Sequence, residues 1–292
     1  MLSVVMPCLN AMPHIVAAID SAMAALAGTP YEIVVADGGS TDGTVNYLRT
    51  AGVSLLEGPD SSLYEGLNKA LAAARGDYAV WLNSDDILCP DIVELASLAR
   101  GSAADMATGE VQTVAGGKVI WKSTHHDVRF DFNSLLFGVP NINCRIVSMG
   151  LLRTAGPFVP GLGLGADREM MLRLLDLAGK RTALPKAVYC YQAHPASRTM
   201  GGTWKSYRSV HEANLKLVSY LRAARLDANR EEVVEAYAAS TRLALARAEF
   251  FTGDWGAATA TIAAAIADHP MPGDWYRGLS LHRRYRGQAS GW

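Results

Sequence analysis

Two adjacent carboxylates, Asp85 and Asp86, end the run Leu82-Asn83-Ser84-Asp85-Asp86, directly after the apolar stretch Tyr78 to Leu82. Like charges side by side are unfavourable unless a cation or a proton compensates. A divalent metal carried in by a diphosphate is the economical compensation, because Mg2+ takes one or two protein carboxylates and completes its shell with phosphate and water. A helix N-terminus gives the pair an ordinary account as well, with Pro90 and Asp91 nearby. Three more polar segments follow short apolar runs: Pro7 to Asn10, Asp37 to Asp42, and Asp60. No GxGxxG follows a strand and no GxxxxGKS/T occurs, so the usual dinucleotide and P-loop devices are missing.

The elements that must carry these residues alternate. Leu2 to Met6, Tyr31 to Ala36, Val53 to Glu57 and Tyr78 to Leu82 read as strands, separated by helices over 11–27, 45–50 and 63–74. That alternation predicts an α/β fold with a largely parallel sheet and helices on both faces. Such sheets bind ligands at the carboxyl ends of their strands, where the four polar segments fall. Beyond residue 90 the alternation loosens into strands at 106–114, 118–122 and 187–192 and a helix over 166–178, so the sheet becomes mixed. From Lys205 onward everything reads as helix, near 205–225, 230–251 and 255–267, with a boundary at Gly201-Gly202. The expected domains are therefore 1–202, divided into halves 1–90 and 91–202, and a helical region 203–292.

The formal charge of −1 provides no field for nucleic acid, yet it hides a division: net −4 over 1–200 and net +3 over 201–292. Cys8, Cys89, Cys144 and Cys190 form no CxxC pair, which argues against a zinc ribbon or a disulfide framework and for reduced, buried thiols. No apolar run approaches the ~20 residues that span a bilayer, so a cytoplasmic protein is expected.

Ser3-Val4-Val5-Met6-Pro7-Cys8-Leu9-Asn10, Glu32 through Thr44, Gly66-Leu67-Asn68-Lys69-Ala70 and Leu82 through Asp86, followed by Gly156-Pro157-Phe158 and Ala166-Asp167-Arg168-Glu169, stand in a telling order. Over about residues 1 to 200 the chain resembles the GT-A glycosyltransferases of family 2, inverting enzymes that use nucleotide sugars. The resemblance implies a Rossmann-like mixed sheet, with Pro7, Asn10, Asp37, Asp60, Asn68, Ser84 and Asp85 in the nucleotide-sugar site and Asp37 as a partner of the base. It implies Asp86 as a ligand of Mg2+ or Mn2+ bridging the phosphates, with His194 as a further ligand and Arg198 as a phosphate contact. Asp167 falls where the family keeps its catalytic base, although the acid that commonly precedes it is Ala166 here. An N-cap is the ordinary reading of Asp167, and both roles can coexist, since a helix N-terminus favours the ionised carboxylate. A lone His is more often structural, and His125-His126 matches no motif.

The expected reaction moves a sugar from a nucleotide diphosphate, UDP by default, to a glycan or lipid-linked acceptor in bacterial surface polysaccharide assembly. Within enzymes, a nucleotidyltransferase of the same fold is the rival, though the Gly- and Arg-rich loop it would need is missing. From another class, the rival is a catalytically silent scaffold acting through its helices. Ala246, Phe250, Gly253, Trp255, Ala258, Ala265 and Pro270 resemble one tetratricopeptide hairpin at about 239–270, with an ordinary helical hairpin as the alternative. Its apolar face must pack on the catalytic domain or on another subunit, a route to a homo-oligomer. The tail 275–292 interleaves four arginines with Trp275, Tyr276, Tyr285 and Trp292, which suits peripheral contact with an anionic inner membrane surface.

Overall fold

The computed structural model describes residues 1–123, 130–139, 142–194 and 203–268, together with residue 280. The chain forms two compact units, one of Met1–Val128, Asn141–Pro160 and Met170–Gln192, the other of Arg129–Pro140, Gly161–Glu169 and Ala193–Trp292. The sequence places its divide near Gly201-Gly202, outside the described residues. The compact units interleave instead, and segments 129–140 and 161–169 are grouped with the helices.

The sheet unit begins with β1 (Leu2–Cys8), buried along its whole length, and continues with α1 (His14–Leu26), β2 (Tyr31–Asp37), α2 (Thr44–Leu48) and β3 (Ser54–Glu57). Next come α3 (Leu63–Ala73), β4 (Tyr78–Trp81), a two-residue β5 (Ile87–Leu88) and α4 (Ile92–Ser102). Strands β6 (Met106–Ala115) and β7 (Lys118–Lys122) follow. Beyond α5 (Phe132–Phe137), β8 (Arg145–Ser148) and α6 (Met149–Ala155) lead to α7 (Ala166–Leu177) and β9 (Arg181–Gln192). In the sheet the order is β3-β2-β1-β4-β8-β6-β9-β5, with β7 on β6. β1 pairs in parallel with β2 and β4, and β2 with β3, whereas β8 runs antiparallel to both β4 and β6.

Helical spacing explains why α1 covers the sheet: Ile15, Ala18, Ile19, Ala22 and Leu26 are its buried residues, one face of a 3.6-residue period. They join Val4, Met6, Ile33 and Val35 in the core, where each large aliphatic side chain contributes roughly 1.5–3 kcal/mol. α3 starts at Ser62, whose hydroxyl accepts from the Glu65 N–H at 3.2 Å.

β9 is twice as long as the strand expected over 187–192, because Pro185 punctuates the sequence without ending the pairing. Thr108 faces Ala183 and Glu110 faces Ala187, so three residues of β9 bulge opposite Gly109. A Cβ at Gly109 would lie 2.4 Å from Val188, which is why the bulge needs glycine there. All four cysteines are free and buried. Burial raises each thiol above its ordinary range, to about 11 for Cys89 and Cys144.

In the helical unit, α8 (Trp204–Ala223), α9 (Ala228–Phe251) and α10 (Trp255–Asp268) follow one another. The central α9 buries residues on all sides, Val233, Ala236, Tyr237 and Ala248 among them. The turn after α9 uses Gly253 at φ +83°. Of the hairpin positions named from sequence, Ala258 and Ala265 are the buried residues of α10, while Trp255 is 68% exposed and Pro270 lies outside the described residues. Trp204 stacks on Phe251, with ring centroids 4.4 Å apart, so packing accounts for it. No helix among the described residues is long and apolar enough to cross a membrane.

Candidate functional site

The loops after β1 and β2 are laced together by side chains. Asn10, at φ +49°, accepts at Oδ1 from the Thr41 N–H at 2.8 Å, and its own N–H donates to Ser40 Oγ at 2.7 Å. Ala11 N–H reaches Thr44 Oγ1 at 2.9 Å, and Met12 N–H reaches Asp42 Oδ2 at 2.9 Å. Asp37, at the end of β2, is 2% exposed. Its Oδ1 accepts from the N–H groups of Gly39 (3.0 Å) and Ser40 (2.8 Å), and its Oδ2 accepts from Ser40 Oγ (2.5 Å) and the Cys8 thiol (3.4 Å). The buried carboxylate thus builds the loop around it. Asp60 lies against Gly38 and Gly66, where an added Cβ would come within 2.9 and 2.7 Å of its carboxylate. Burial raises the Asp60 carboxyl above its usual range.

Asn68 spends its amide on structure. Its Nδ2 donates to Phe158 O at 2.9 Å, and its Oδ1 accepts from Phe158 N–H at 2.8 Å. The pair ties α3 to the Gly156-Pro157-Phe158 segment, and Phe158 is seated against Tyr64 and Trp81.

The two adjacent carboxylates have different environments. Asp86 is 1% exposed: Oδ1 accepts from Gln192 N–H at 2.8 Å, and Oδ2 accepts from Tyr189 Oη at 2.6 Å and Asn83 Nδ2 at 2.9 Å. Burial, and then the charge of Asp85, push its carboxyl up to about 6. Asp85 and Ser84 beside it are partly exposed. Sequence reasoning missed Tyr189, which is fully buried in β9 and also receives the N–H of Asn83 at 3.2 Å and Nδ2 of Asn143 at 3.0 Å. Within an apolar strand pattern a tyrosine gives no sign that its hydroxyl reaches a motif more than 100 residues earlier.

An ion with hard oxygen ligands fits this donor set. The described residues contain no group of three His, Cys, Asp or Glu that would hold a metal unaided. A single outward carboxylate braced by a buried one instead suits a cation that completes its shell with phosphate.

The sheet unit therefore gathers Pro7, Asn10, Asp37, Asp60, Asn68, Ser84, Asp85 and Asp86. Asp167 and His194 belong to the helical unit, and Arg198, His125 and His126 lie outside the described residues. Asp167 is partly exposed in the first turn of α7. Arg168, next to it, is 4% exposed and donates through Nη1 to the carbonyls of Leu135, Leu136 (2.7 Å) and Gly138 (3.1 Å).

A family model described as glycosyl transferase family 2 matches residues 3–155, just over half of the chain. A PGL/p-HBAD biosynthesis glycosyltransferase of Mycobacterium bovis is 32% identical over 183 residues, covering 59% of this chain and 69% of that protein. An uncharacterized protein of Sinorhizobium fredii is 28% identical over 223 residues; the match takes in 71% of this chain, which spans only 24% of that longer relative. Among solved structures, S. aureus TarS 1-349 in complex with UDP-GlcNAc superposes with a TM-score of 0.65 at 17% identity, covering 98% of this chain and 92% of that one. The mannosyltransferase PcManGT from Pyrobaculum calidifontis, in complex with GDP-Man and Mn2+, gives 0.60 at 20% identity over 99% and 83%. These likenesses show the fold, a GT-A mixed sheet with helices.

Proposed function

The chain belongs to glycosyl transferase family 2, and on that premise we propose that it moves one sugar from a UDP-sugar to a hydroxyl of a glycan or lipid-linked acceptor, with inversion at the anomeric carbon. The UDP-GlcNAc complex of TarS supports the uridine donor. The laced loops after β1 and β2, with Asp60 between Gly38 and Gly66, form the nucleotide side.

The observation that carries the reading is the asymmetry of Asp85 and Asp86. The motif assigns the metal to Asp86, but its three donors and its burial support a positioning role, and we assign the Mg2+ or Mn2+ ligand to Asp85. The Mn2+ of PcManGT supports use of a divalent metal. When bound, the cation offsets charge on the departing diphosphate. Asp167 takes the proton of the acceptor hydroxyl as its oxygen attacks the anomeric carbon and the bond to the diphosphate breaks. His194 and Arg198 are proposed as a further ligand and a phosphate contact. Cytoplasmic location, a homo-oligomer through the helical region and membrane contact through 275–292, residues outside those described, belong to the same proposal.

Calorimetric titration of UDP, GDP and dTDP with and without Mn2+ tests it. UDP should bind most tightly and only with the metal, and Asp85→Ala should weaken that binding by about tenfold or more. Metal-dependent affinity unchanged in Asp85→Ala would remove Asp85 from the metal.

A further inference from the structure

Beside the proposed base stands a buried cation for which the motif gives no reason. The carbonyls that Arg168 receives belong to the last turn of α5 and the residue after it, oxygens that lack intrahelical donors. A planar, permanently charged fork suits that task, and its charge meets the negative end of the helix. The guanidinium carbon also lies 5.6 Å from the centre of the Tyr237 ring in α9. That ring meets Phe137 of α5 edge-on, with centroids 5.3 Å apart. Two residues before Asp167, Gly165 lies flush against α8: a Cβ there would come within 3.1 Å of Ala213 O and 3.3 Å of Leu217 Cβ. The first turn of α7 is thus fixed on both sides of Asp167, by Gly165 on α8 and by Arg168 on α5 and α9.

We infer that Arg168 is a positioning residue for glycosyl transfer: it locks the first turn of α7 to α5 and α9, and so sets where the Asp167 carboxylate faces. The inference rests on the reading of Asp167 as base. A base that must meet a hydroxyl as its oxygen attacks tolerates little displacement, and a misplacement of about 1 Å can cost about 10²-fold in rate. An arginine serving stability alone would leave turnover per folded molecule unchanged when replaced.

The test compares Arg168→Met, Arg168→Lys and Gly165→Ala with wild type by UDP release from a panel of UDP-sugars, by hydrogen exchange and by Mn2+-UDP calorimetry. Arg168→Met should lower kcat by about 10²-fold while KM for the donor stays within about twofold. Arg168→Lys should recover a large part of the loss, since an ammonium still donates to carbonyls, and Gly165→Ala should lower kcat with Mn2+-UDP affinity unchanged. Exchange should rise together in residues 132–138 and 163–170 of Arg168→Met and stay at wild-type levels in residues 2–37. Wild-type kcat in Arg168→Met, or equal losses in the Lys and Met variants with exchange raised throughout the chain, would overturn the inference. If Asp167→Asn releases UDP as fast as wild type, the base reading fails separately. The exchange data then decide the lock alone: a joint rise in the two segments upholds it, and no rise overturns it.

Discussion

In the sheet unit, buried carboxylates are held by donors: Asp37 by the N–H groups and hydroxyl of its own loop, Asp86 by Tyr189, Asn83 and the main chain of Gln192. In the helical unit the polarity is reversed, and a buried cation, Arg168, is held by main-chain acceptors and an aromatic face. Donors gathered around a carboxylate fix one side chain, whereas a guanidinium gathering carbonyls fixes two stretches of backbone to each other. Losses in the first region should therefore be read in binding, and losses in the second in turnover.

The sharpest division comes from Asp167→Asn, which should lower UDP release from the active UDP-sugar by about 10³-fold and leave Mn2+-UDP affinity at the wild-type value. A matching loss of affinity would dissolve the contrast between the regions. Tyr189→Phe keeps the ring in its packed site and removes the hydroxyl that braces Asp86. Mn2+-UDP affinity should fall by roughly tenfold in calorimetry, as for other outer partners of a metal site, and an unchanged Kd would show that the brace is idle. The smallest effect concerns stability. The Asp86 carboxyl is pushed up to about 6 from 3.8, so over that window the folded state holds the extra proton. Without metal, in EDTA, the Tm should fall as pH rises from 4 through 6, and Asp86→Asn should flatten that slope. A slope identical in the two proteins would show that Asp86 is not its source.

The sequence made the first region legible because its elements repeat: apolar runs of strand length, each ended by a polar loop, place the Pro7, Asp37, Asp60 and Asp85 segments at one end of a parallel sheet. The antiparallel β8 was hidden by Arg145, a fully buried arginine that interrupts a short apolar run. Pro185 shortened β9 on paper, because a bulge opposite one glycine cannot be read from either strand alone. Asn68 read as a ligand contact since an amide in a motif has no visible partner, and Phe158, 90 residues away, uses both ends of it. Arg168 was least legible of all. Between Asp167 and Glu169 it reads as surface charge, and only three carbonyls from another segment give it a role.

The burial of all four cysteines has a practical meaning. Thiolate is the form that reacts with maleimides, and each thiol is held above its ordinary range, so the native protein offers little to such reagents at neutral pH. It is its own cysteine-silent background. A single cysteine placed at exposed Val119 in the sheet unit, or at exposed Ile262 in the helical one, would take a dye or spin label alone and report on that unit without prior removal of the native thiols.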